Sequence, residues 1–229
     1  MLEPYILAKG ANVKVADAFG EADLRVSLTV ETCVPAGAGP LATDVSVLIL
    51  GNDGKVRSND DMIFYNQPVG GDGAVELKAP LAVVDGLPTI EVDLAALPES
   101  VSRVLIAASV DADDGRTFGE AEALRLSVGV AGETSSAKVV SELVGLTAET
   151  AVIFGELYRR DVDWKIRAVG QGYDKGLLAL VTEFGVDVDD PADGSNPGDQ
   201  GKPASAATPG ADAAPDRPTS TGSRVALAR

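Results

Sequence analysis

The 229-residue chain has no histidine and a single cysteine, Cys33. Without histidine there is no Ser-His-Asp or Cys-His catalysis, no imidazole ligand for zinc or haem, and no side chain that titrates unperturbed near neutral pH. One cysteine excludes an internal disulfide, a CxxC motif and thiolate zinc sites. Positive charge is scarce too: 19 Lys and Arg face 35 Asp and Glu, for a formal net charge of −16. That balance argues against nucleic acid, whose phosphates need clustered cations, and against docking on an anionic membrane face. Apolar runs such as Val45–Leu50 fall far short of the ~20 residues of a spanning helix. The first residues, Met1-Leu2-Glu3-Pro4-Tyr5, lack the basic start and apolar stretch of a secretory signal. A cytoplasmic protein with no direct membrane insertion is expected. The chemistry left open is that of carboxylates: hard cations, cationic partners, or plain solubility.

What is present divides in two. Hydrophobic residues make up 45% of the chain, and the aromatics all precede Asp189, the last being Phe184. From Asp189 to Arg229, 27 of 41 residues are Ala, Pro, Gly, Ser or Thr. Such a segment cannot bury enough apolar surface to offset its ordering entropy. Residues 189–229 are therefore expected to form a disordered acidic tail, and residues 1–188 one domain.

The period of that domain is two. Leu24, Val26, Leu28 and Val30 alternate with polar residues, as do Ile90, Val92 and Leu94, and Leu124, Leu126 and Val128. Each reads as a half-buried strand. Val45–Leu50 and Val101–Val110 are nearly continuous apolar runs, as expected of central strands covered on both faces or of deep sandwich strands. Turn residues separate these runs at Asn52-Asp53-Gly54, Gly70-Gly71-Asp72-Gly73, Asp85-Gly86 and Asp113-Asp114-Gly115. The spacing suggests a mainly β protein, an antiparallel sandwich or barrel. Residues 150–173 read as a long hairpin that turns at Asp161-Val162-Asp163, with Val152, Phe154 and Glu156 on one face and Ile153, Gly155 and Leu157 on the other. Leu177, Leu180, Val181 and Phe184 then follow helical spacing, with Asp174 as a candidate cap and Gly185 as a stop.

Four loops collect oxygen ligands: Thr43-Asp44-Val45-Ser46, Asn59-Asp60-Asp61 with Asn66 beyond it, Gly71-Asp72-Gly73, and 111–115. Calcium takes six to eight such oxygens, usually from loops, but turns use the same residues. The last loop is not a calcium helix-loop-helix: Gly115 comes one residue early and Glu120 stands at the tenth position instead of the twelfth. Gly170-Gln171-Gly172 lacks the third glycine of a dinucleotide loop and fits close packing or a bulge. Trp164 reads as a core anchor and Cys33 as a small buried apolar residue. Arg159, Arg160, Lys165 and Arg167 form the basic cluster, expected to pair with sheet neighbours.

A series of blocks occurs in a telling order. Leu7-Ala8-Lys9-Gly10-Ala11-Asn12 precedes Asp44-Val45-Ser46. Asp61-Met62-Ile63-Phe64-Tyr65-Asn66-Gln67 and Val92-Asp93-Leu94 follow, then Phe118-Gly119 and Glu149-Thr150-Ala151. Gly155-Glu156-Leu157-Tyr158-Arg159 and the ten residues from Trp164 to Tyr173 close the series. Across roughly residues 5–187 the chain resembles the TerD family of tellurium-resistance and general stress proteins. The resemblance implies an antiparallel β-sandwich with a short C-terminal helix, and a binding or scaffold module instead of an enzyme. It implies partners among the proteins of a stress-response complex, which can reach a membrane through those partners. It also implies calcium (Ca2+) on acidic loops, with Asp44, Asp61 and Asn66 as the metal ligands. Several of the family's acids are replaced: Ala42 stands for the first Asp of Asp-x-Asp-x-Ser, Asn59 for an acid, and Gly86-Leu87-Pro88 for a Gly-Asp-Asp-Glu run. Fewer carboxylates lower site charge and affinity, so weak or degenerate calcium binding is expected. The alternative is a metal-independent interaction module whose tail tethers it in a larger assembly.

Overall fold

The computed structural model describes residues 3–20, 24–78, 87–111, 115–133 and 137–188. The expected tail at 189–229, the Asp85-Gly86 turn and Asp113-Asp114 lie outside the described residues.

Among the described residues, thirteen strands form two sheets. One holds β1 (Tyr5–Leu7), β11 (Val139–Leu143), β10 (Ala123–Val130), β3 (Arg25–Cys33), β8 (Thr89–Asp93), β7 (Val75–Lys78) and β6 (Val69–Gly70), in that order. The other holds β2 (Asn12–Lys14), β13 (Asp163–Tyr173), β12 (Ala151–Arg160), β9 (Val101–Val110), β4 (Thr43–Gly51) and β5 (Met62–Ile63). Pairing is antiparallel except for β1 on β11, which runs parallel. The expected sandwich is observed. Its parallel edge pair, the strands β1, β2 and β11, and the five-residue helix α1 (Val15–Phe19) were not anticipated, being too short to show a period.

The alternating residues face inward as their period requires. Val26, Leu28, Val30, Ile90, Val92, Leu124, Leu126 and Val128 line one wall of the core, and Val45, Val47, Ile49, Val104, Ile106 and Ala108 line the other. The two sheets differ on their outer faces. The seven-stranded sheet turns charged residues to solvent: Arg125 donates to Glu31 at 2.8 Å and to Glu142 at 3.1 Å. The six-stranded sheet is apolar outside as well, with Leu48, Leu50, Met62 and Leu105 buried. Helix α2 (Gly176–Glu183) packs against β9, β12 and β13 and buries Leu180 and Val181. This third layer lies on the outer face of β9, which is apolar on both faces. Gly185, at φ 81°, ends the helix as expected; Asp174 does not cap it, since Lys175 takes that position without a side-chain bond.

The β12–β13 hairpin corrects the sequence reading in two places. Its turn is two residues, Asp161 and Val162, because Asp163 pairs with Arg160. A bulge between Ile153 and Gly155 shifts the register, so Glu156 moves to the outer face and Leu157 joins the core. Gly155 permits this: a Cβ there would meet the Arg167 carbonyl oxygen and the Leu126 side chain, each at 2.8 Å.

Candidate functional site

The acidic residues expected to bind metal are held at opposite ends of β4. Asp44 is the second residue of that strand and pairs with Ser109 on β9. Asp61 ends a 3-10 turn, Asn59–Asp61, immediately before β5. The register sets Val47 opposite Ile63 and Leu48 opposite Met62, which puts Asp61 level with Ile49. Five residues at ~3.3 Å each separate Asp44 and Asp61 by roughly 16 Å along the strand, too far for one ion. Asn66 is exposed in the turn closed by the Phe64–Gln67 pair. Continuing the β4–β5 register would bring Asn66 level with Asp44, but pairing stops at Ile63. The three residues therefore do not converge. Among the described residues no group of three or more His, Cys, Asp or Glu is placed to hold a metal.

The Asp61 corner is built tightly. Ser58 accepts from the Asp60 amide at 3.3 Å, and its carbonyl accepts from the Asp61 amide at 3.0 Å. Gln67 braces the turn by donating to the carbonyls of Asn59 and Met62 at 3.1 and 2.7 Å. Asp61 is 3% exposed. Both its carboxylate oxygens are taken by Arg57: Nε donates to Oδ2 at 2.6 Å and Nη2 to Oδ1 at 2.8 Å. The Arg57 amide adds a bond to Oδ2 at 3.2 Å. This planar fork is the strong form of a charge-assisted pair. A calcium ion would need those same oxygens at 2.3–2.6 Å. Asp61 does not fit a metal while the guanidinium is seated there.

The Asp44 corner differs. Burial pushes the Asp44 carboxyl upward, and the neighbouring Asp111 adds to the push. Asp44 as a whole remains exposed, so solvent screens much of that repulsion. Ser46 and Ser109 are buried on the same outer face. Ala42 lies two residues before Asp44, just ahead of the first residue of β4, so the Asp-x-Asp-x-Ser pattern lacks its first acid beside this corner.

The remaining candidates have structural roles. Asp72 sits at φ 57° in the turn Gly71–Gly73. Glu120 closes a capping box with Thr117 and pairs with Arg116 at 2.8 Å, which lowers its pKa. Gly170, at φ 68°, packs against Leu143 and Lys9. Trp164 joins the core, with the Arg159 guanidinium over its ring at 4.9 Å. Of the basic cluster, Arg167 pairs with the buried Glu156, which Arg103 also approaches at 3.9 Å. Cys33 is half-buried, less enclosed than expected, because it ends β3 opposite Ala123. Arg57 is the residue that sequence reading missed. Its only signal was a four-residue spacing to Asp61, which suggests a pair on a helix but not in a loop.

Comparison with known proteins agrees with the ordered blocks. The TerD domain family matches residues 5–184. General stress protein 16U of Bacillus subtilis (strain 168) is 29% identical over 188 residues, covering 80% of this chain and 97% of that protein. Tellurium resistance protein TerD of Serratia marcescens is 31% identical over 148 residues, covering 62% of this chain and 77% of that protein. Two crystal structures share the fold. One is SAV2460, a protein of unknown function, at TM-score 0.55 and 19% identity, covering 70% of this chain and 96% of that one. The other is a homologue of telluride resistance protein (TerD) from Streptomyces coelicolor A3(2), at TM-score 0.50 and 17% identity, covering 69% of this chain and 94% of that one. The sandwich, the ordered blocks and the match over nearly all the described residues place this chain in the TerD domain family.

Proposed function

We infer that the chain is a non-enzymatic stress-response protein of the tellurium-resistance kind, working in the cytoplasm as a metal-independent binding module. Its relatives named for general stress and tellurium resistance support the stress role. The observation that carries metal independence is the Arg57–Asp61 fork, which gives a buried carboxylate an internal cation. A binding role also suits the carboxylates. Among the described carboxylates, the one whose pKa is raised, Asp44, sits exposed at a strand end and not in a closed cleft where it could act as an acid or base. The module is expected to hold other proteins of a stress assembly. The full chain, used as bait, should capture the same partners in chelator and in millimolar calcium. It should also raise tellurite tolerance when expressed in a sensitive bacterium. Calcium-dependent capture would refute metal independence, and unchanged tolerance would refute the tellurium-resistance role.

A second reading, weak calcium binding at Asp44, is favoured by the mutual repulsion of Asp44 and Asp111, which a divalent cation would relieve. Asp44→Asn should then abolish any calcium-induced rise in Tm. A rise that survives the substitution would exclude this corner.

A further inference from the structure

The loop that carries Arg57 does more than neutralise Asp61. From the same guanidinium, Nη1 donates to Ser100 Oγ at 3.1 Å, next to the first residue of β9. On its other side the loop grips the C-terminal end of the domain. The Val56 amide donates to the Phe184 carbonyl at 2.9 Å, and Lys55 Nζ donates to the Glu183 carbonyl. Asn59 bonds Asp187 in both directions: its Nδ2 donates to the carbonyl at 3.2 Å, and its Oδ1 accepts from the amide at 3.1 Å. Loop, start of β9 and exit of α2 thus meet at one corner: Arg57 bonds Asp61 and Ser100, and its neighbours Lys55, Val56 and Asn59 bond residues 183–187.

We propose that Arg57 does at this corner the work of a bound divalent cation, so that the grip on residues 183–187 holds whatever the metal content of the solution. A calcium ion organises a loop by drawing oxygens from separate segments to one charge. The guanidinium does the same with donors in a fixed plane: two on Asp61 and one on Ser100. Being covalently part of the chain, it cannot be removed by a chelator. Asp72 strengthens its hold by adding negative field around it. The corner is therefore a permanently occupied version of a cation-organised loop. This goes beyond the binding-module reading and does not depend on which partner is captured.

The test is hydrogen exchange of the full chain in chelator, in millimolar calcium and in millimolar magnesium, at matched ionic strength. The amides of Val56 and Asp187 should exchange at the same rate in all three. Arg57→Gln should speed both by about tenfold or more while β3 and β10 stay protected, and Arg57→Lys should recover part of the loss. Two results would overturn the proposal. One is calcium slowing exchange at Val56 and Asp187 in the unaltered chain, with Asp61→Asn removing that effect. The other is Arg57→Gln leaving both amides as protected as before. The first comparison uses the unaltered chain, so a misfolded variant does not shield the proposal. Partner capture is measured separately and can fail without changing either exchange result.

Discussion

The two ends of β4 carry the same chemical group in opposite settings. At one end, Asp44 is exposed beside Asp111, with burial and like charge both pushing its carboxyl upward. At the other, Asp61 is 3% exposed and wholly engaged by Arg57. Burial alone would have made Asp61 the costlier charge, since an unpaired buried carboxylate is strongly unfavourable. The fork reverses that order. The buried acid is the settled one, and the exposed acid carries the residual repulsion. An acidic residue in a family block therefore does not identify a metal ligand until its neighbours have been counted.

This asymmetry should show in substitutions. Arg57→Gln leaves a buried carboxylate unpaired and should cost about 3 kcal/mol. At a few degrees per kcal/mol, that is a fall in Tm of roughly 6–12 °C by calorimetry. A double-mutant cycle with Asp61→Asn should return a coupling above about 1 kcal/mol. Asn59→Ala removes both bonds to Asp187 and should cost about 1–2 kcal/mol in chemical denaturation, with faster exchange confined to residues 183–187. Asp44→Asn should change stability by under about 0.5 kcal/mol at pH 7.

The sign of that last effect depends on pH. Because the folded state raises the Asp44 carboxyl, the native chain holds that proton more tightly than the unfolded one. Asp44 therefore destabilises as pH rises through the carboxylate range. Asp44→Asn should match or exceed the unaltered chain in Tm at pH 7, and the difference should vanish below about pH 4. A Tm loss for Asp44→Asn comparable to that of Arg57→Gln would break the contrast between the two corners.

Much of the fold could be read from the sequence because it follows from period. The alternation at Val26, Leu28 and Val30 leaves one face for the core, and the nearly continuous apolar runs of β4 and β9 match strands buried on both faces, with α2 packed against β9. The places that escaped reading depend on contacts distant in sequence. The flip of Glu156 and Leu157 follows from a bulge fixed by the backbone of β13 and the side chain of Leu126. The candidate site was legible only in part, since Asp44, Asp61 and Asn66 were found as residues but their separation was not. Strand pairing, not spacing along the chain, sets which acids share a corner. Arg57 was invisible for a related reason: a loop arginine four residues from an acid is common, and only the folded turn aims its fork.

The most direct measurement is a calcium titration of the full chain followed amide by amide by NMR. If Arg57 is the resident cation, the signals of residues 56–62 stay fixed through millimolar calcium, and any calcium-dependent change is confined to the amides around Asp44 and Asp111. Movement of the Arg57 and Asp61 amides at micromolar calcium, with the same apparent Kd at both, would mean that the ion displaces the guanidinium, and would contradict a metal-independent corner.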